Sequence, residues 1–76
     1  MSRFIKLPGF FFEDELLYFH EVWLNPFQVE GFISLDMTYD DEDGIPVDLS
    51  ATKVFTKSGM EYDIKLSVEE FEKIVS

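Results

Sequence analysis

Carboxylates dominate the side chains that could do chemistry. Asp36 to Asp48 holds six acidic residues and no Lys or Arg, and Glu13 to Glu30 holds five more, again with neither cation. Within the first run, Tyr39-Asp40-Asp41-Glu42-Asp43-Gly44 comes nearest to a calcium loop. An EF-hand loop with Gly44 at its sixth position needs an acid where Tyr39 stands and a bidentate Glu where Ser50 stands. Neither is present. A solvated acidic turn is the expected state, with weak Ca²⁺ or Mg²⁺ binding through oxygen ligands as the alternative. No metal ligand and no cofactor is assigned.

Other chemistry finds little support. A general acid and base need one carboxyl in an apolar pocket and another in water, held across a cleft. No spacing in this chain places two that way. His20 is the only histidine, and in a strand its neighbour Glu21 points to the opposite face. There is no nucleophile elbow and no glycine-rich phosphate loop. With no cysteine, disulfides, thiolate zinc sites and cysteine nucleophiles are excluded. A domain this small rarely encloses a substrate pocket. The chain is expected not to be an enzyme, and no catalytic residue is assigned.

Sixteen acidic residues against six basic ones give a formal net charge of −10. Direct nucleic-acid binding is therefore not expected, because gripping phosphates requires Lys and Arg. No apolar stretch approaches a membrane span, and Glu13-Asp14-Glu15 interrupts the short run Gly9–Phe12 before it could serve as a signal-peptide core. A cytoplasmic protein without membrane association is the expectation.

The 76 residues are read as one compact domain, 1–76. Its margin should be roughly 4–11 kcal/mol, scaled from the usual per-residue range. Nine Phe, three Tyr and Trp23 supply core material for a small domain. The simplest expectation is that all of them are buried; an exposed cluster would mark a binding face.

The C-terminal third has the clearest pattern. Met60-Glu61-Tyr62-Asp63-Ile64-Lys65-Leu66 alternates apolar and charged, the signature of a strand with one buried face. Upstream, Thr52–Thr56 is β-branched and aromatic, and Lys57-Ser58-Gly59 supplies a hairpin turn. Ser67 and Glu70 form a capping box, with Leu66 and Phe71 as a hydrophobic staple, for a helix from Val68 to about Val75. Its stripe is Val68, Phe71, Ile74 and Val75.

Earlier, Phe4–Leu7 reads as a strand ended by Pro8-Gly9, and Glu21–Leu24 as one ended by Asn25-Pro26. Asn25 caps a helical turn that Gly31 closes. Ile33, Leu35, Met37 and Tyr39 alternate as a third strand. The stretch Phe10–His20 fits both periods, with a strand favoured after Leu16. The expected fold is α+β: a small antiparallel sheet of four to five strands with one short C-terminal helix packed on it. The expected core is Ile5, Leu7, Val22, Leu24, Ile33, Leu35, Val54, Tyr62, Ile64, Leu66, Phe71 and Ile74.

This order of motifs resembles the FlbD-type small proteins of flagellar operons and similar short bacteriophage proteins. The residues concerned are Phe4-Ile5-Lys6-Leu7, Val22-Trp23-Leu24-Asn25-Pro26, Val29–Ile33, Thr52–Thr56, Lys57-Ser58-Gly59, Glu61–Lys65 and Ser67-Val68-Glu69-Glu70-Phe71. The resemblance covers about half of the chain. Pro8–Phe19 and Asp40–Ala51 stand outside it as added length. It implies a small sheet with a C-terminal helix and a regulatory or interaction role, and it carries over no catalytic residue.

Phe11 and Phe12 run directly into Glu13, Asp14 and Glu15, while Asp40, Asp41, Glu42 and Asp43 form the densest acid. Apolar anchors rimmed by charge describe a protein-binding surface. These nine residues are the expected partner-binding set. The expected function is a small acidic interaction module for a basic protein partner. It would act as a phage-type inhibitor, mimicking the charge of nucleic acid and anchoring through aromatics. The alternative is a homo-oligomeric structural or regulatory subunit of a larger assembly.

Overall fold

The computed structural model describes residues 3–75; residues 1, 2 and 76 of the expected domain lie outside that range. Five strands and one helix follow in the order β1 (Ile5–Glu13), β2 (Leu16–Leu24), a 3₁₀ turn (Pro26–Gln28), β3 (Val29–Asp40), β4 (Pro46–Thr56), β5 (Glu61–Ile64) and α1 (Val68–Val75). The strands form one antiparallel sheet ordered β2-β1-β5-β4-β3. The α+β architecture expected from the sequence is the observed one.

Two long hairpins, β1-β2 and β3-β4, make up most of the molecule. They are joined narrowly, since β1 pairs with β5 only at Gly9 and Ile64. Strand β1 does not stop at Pro8-Gly9 as the sequence suggested; it runs on to Glu13. Pro8 is tolerated because its backbone faces β5, where its carbonyl accepts from Lys65 N at 2.7 Å, so its missing N–H is not needed by β2. Gly9 is needed for space. A Cβ there would lie 2.5 Å from Val22 Cγ2 and 2.9 Å from His20 Nε2.

The turn between β1 and β2 contains no glycine. Asp14 and Glu15 both take positive φ, 52° and 67°, as a two-residue primed turn requires. The acidic sequence thus conceals a hairpin, and Phe10–His20 resolves as the end of β1, this turn and the start of β2. Asp40–Ala51 comprises the last residue of β3, the β3-β4 turn and the first half of β4. Gly31 does not close the 3₁₀ turn, which ends at Gln28 with Val29 as its C-cap; it sits within β3 beside a bulge. The Asn25 cap is present, its Oδ1 accepting from Phe27 N at 3.0 Å.

Because side chains alternate across a strand, each hairpin has two faces. On one face Leu7, Val22, Leu24, Val54, Ile64 and Phe71 form the main core, covered by α1. Phe71 is fully buried and meets Phe32 edge to face, with centroids 5.0 Å apart. The capping box holds this helix: Glu70 N donates to Ser67 Oγ at 3.2 Å, and Ser67 N to Glu70 Oε1 at 3.3 Å. On the other face, nearer the turns, Phe10 packs with Leu49 and Ala51, flanked by Leu17, Leu35, Met37 and Tyr39.

The second cluster corrects the expected core. Phe10, Leu49 and Ala51 belong to it, whereas Ile33 is 52% exposed and Ile74 43% exposed. Ile33 lies on the face opposite Phe32, on the same side as Leu35 but outside the Phe10 cluster. Ile5, Leu35, Tyr62 and Leu66 are half-buried, and Met60 lies outside the short β5 and is exposed. The aromatics are not all inside either: Phe4, Phe11, Phe12, Tyr18, Phe19, Trp23 and Phe27 are exposed.

Candidate functional site

The two hairpins bring the two acidic runs to one end of the molecule. Phe12 near the tip of β1 meets Tyr39 near the tip of β3 edge to face, with centroids 5.8 Å apart and planes at 63°. Around that contact lies an open groove lined by Phe12, Asp14, Glu15, Leu16, Met37, Tyr39, Asp40 and Asp41. A second groove runs between Leu16–Phe19 of β2 and Tyr39–Glu42 at the end of β3. Neither lining contains a Lys or Arg.

Three of the six cations have partners outside the acidic tips. Lys6 pairs with Glu21 at 3.5 Å across β1-β2, and Lys53 with Asp63 at 3.3 Å across β4-β5. Lys65 Nζ stands 4.6 Å from the centre of the Phe19 ring. Each pairing is exposed or half-exposed and contributes little to stability. Its consequence is for charge distribution: acid at the tips has no local counter-ion among these pairs.

Each expected partner-binding residue takes a definite place. Asp14 and Glu15 form the first tip, with Glu13 pairing across it with Leu16. Asp40, Glu42 and Asp43 are exposed on or beside the second tip. Asp41 has an architectural part: its Oδ1 accepts from Asp43 N and Ile45 N, both at 2.9 Å, and its own N donates to Ile45 O at 3.0 Å. One carboxylate thus folds the turn that displays the others.

Phe11 and Phe12 lie on opposite faces of the hairpin. Phe12, 38% exposed, faces the acidic groove and touches Phe10 and Tyr39. Phe11, 43% exposed, turns to the opposite face, stacks on Tyr18 at 5.4 Å and meets His20 edge to face at 5.5 Å. Leu16 and Tyr18 were not in the expected set, yet both are exposed at this end. The signal that reveals them is the β1-β2 register, which pairs Phe11 with Tyr18 and Glu13 with Leu16.

Among the described residues no group of three or more His, Asp or Glu side chains is arranged to hold a metal ion. Among them, too, no helix is long and apolar enough to cross a membrane. The arrangement offers solvated negative charge around exposed aromatic and aliphatic surface. No protein-family model, curated protein or solved structure matches the chain, so the likeness to the FlbD-type proteins rests on the quoted residues alone.

Proposed function

We propose that this protein is a non-catalytic interaction module that binds a basic protein partner through the acidic end formed by its two hairpin tips. The observation that carries the reading is the meeting of Phe12 and Tyr39, which sets Asp14 and Glu15 beside Asp40 and Asp41. Acid clustered without cations steers a basic partner and speeds encounter. Phe12, Leu16 and Tyr39 then offer the desolvated contact that slows release. A basic protein in a cell is often one that binds nucleic acid. Occupying its phosphate-binding surface would inhibit it, in the manner of small phage proteins acting in the cytoplasm.

Capture from cell lysate at low and high salt tests this. The wild-type chain should retain a small set of basic proteins at low salt and release them at high salt. The variant Asp40→Asn/Asp41→Asn/Glu42→Gln/Asp43→Asn should retain little; Asn at 41 keeps the acceptor that folds the turn. An unchanged set with the variant would contradict the reading.

A further inference from the structure

The two sheet edges are built differently. In the β3-β4 hairpin, Asp41 N donates to Ile45 O, so the odd-numbered residues of upper β3 face β4 and the even-numbered ones face outward. That free edge presents Ser34, Asp36, Thr38 and Asp40, and a bulge interrupts its start. Charge, polarity and a bulge are the usual defences of an edge strand.

The β2 edge has fewer of them: its cations, Lys6 and Lys65, come from neighbouring segments and reach Glu21 and the Phe19 ring. The two-residue turn makes Glu13 and Leu16 a hydrogen-bonded pair, so even-numbered residues of β2 face β1. Leu17, Phe19, Glu21 and Trp23 therefore turn their N–H and C=O groups outward. The nine-residue strand has no Pro, Lys or bulge, and its one charged residue, Glu21, is met by Lys6. Its first half forms one wall of the groove whose other wall carries Asp40, Asp41 and Glu42.

We infer that the β2 edge is a strand-addition site, and that its occupant is an extended, basic segment of the partner lying between β2 and the acidic end of β3. This rests on the function proposed above and names how the partner is held. Backbone groups of the segment would satisfy those of Leu17, Phe19, Glu21 and Trp23, and its alternate side chains would reach the acidic wall. Charge selects this occupant over a second copy. β2 carries no Lys or Arg to bring to Asp40 and Glu42, and two chains of net charge −10 repel.

Amide hydrogen exchange on the full chain reads this residue by residue. The probe is a terminally blocked peptide of alternating Lys and Val, about nine residues long to match β2. Two comparison peptides carry Pro at the central Val, or Glu in place of Lys. Without peptide, the amides of Tyr18, His20 and Val22 should exchange slowly and those of Leu17, Phe19 and Glu21 rapidly. The Lys-Val peptide should slow the second set by about tenfold or more. The Pro and Glu peptides should not, and Asp40→Asn/Glu42→Gln should weaken binding. Phe19→Pro should abolish the protection, while Phe19→Thr, which keeps the N–H, should retain it.

Equal binding of the Lys and Pro peptides, weakened only by Asp40→Asn/Glu42→Gln, would overturn strand addition and leave the charge-steered reading standing. Protection of Leu17, Phe19 and Glu21 that rises with protein concentration alone would overturn the chosen occupant in favour of a second copy. Changes confined to β3 or α1 would overturn the site. Exchange in the wild type decides these outcomes even if Phe19→Pro does not fold.

Discussion

Phe12 and Tyr39 lie 27 positions apart in sequence, yet their rings meet edge to face at 5.8 Å and tie the two hairpin tips together. The contact extends toward the tips the packing of Phe10 on Leu49 and Ala51, which joins the hairpins where β1 and β5 share a single residue pair. It places two acidic turns in one surface and leaves apolar area between them.

A double-mutant cycle with Phe12→Leu and Tyr39→Leu should give a coupling of about 0.5–1.5 kcal/mol, the range for aromatic pairs beyond their buried area. Urea unfolding of the four proteins measures it. Strict additivity would mean that the tips are held by other contacts.

The Asp14-Glu15 turn holds two non-glycine residues at positive φ. Replacing the pair by Asn-Gly should raise stability by about 1 kcal/mol, since both new residues suit that geometry. Loss of two negative charges acts in the same direction, so Asp14→Asn/Glu15→Gln, which loses the same two, serves as the comparison. The Asn-Gly variant should exceed it in urea midpoint.

Ile64 and Phe71 are fully buried, whereas Ile33 and Ile74 are exposed. Alanine at either of the first two should cost about 2–5 kcal/mol, and at either of the second two less than about 1 kcal/mol. Thermal and urea melts of the four single variants check the ranking. An Ile33→Ala loss as large as that of Ile64→Ala would require a second layer over that face.

Gly9→Ala should cost about 1–3 kcal/mol by forcing Val22 and His20 aside where β1 crosses β5. Near-neutrality in a urea melt would mean that the crossing is looser than these distances indicate.

What was legible in the sequence was whatever one local rule determines. Ser67 and Glu70 mark the helix start by hydrogen-bonding chemistry, and Gly59 marks its turn by a positive φ of 87°. Illegible were the features set by contact between hairpins. β4 buries Leu49 and Ala51 on one face and Thr52, Val54 and Thr56 on the other, so it has no single period. The acidic turn at Asp14-Glu15 lacks the usual Asn-Gly signal. Of the expected site, Asp14, Glu15, Asp40 and Asp41 do come together, but Phe11 faces away because adjacent strand residues alternate.

The most direct test of the acidic end is the association rate of a captured basic partner, measured across a salt series by stopped flow. The comparison is between the wild-type chain and Asp40→Asn/Asp41→Asn/Glu42→Gln/Asp43→Asn. Exposed charge acts over about one Debye length, roughly 8–10 Å at moderate salt. The variant should therefore associate more slowly and with a flatter salt dependence, at unchanged or slightly higher thermal stability. Association at the wild-type rate with the same salt slope would contradict the account and leave this acid with no part in recognition.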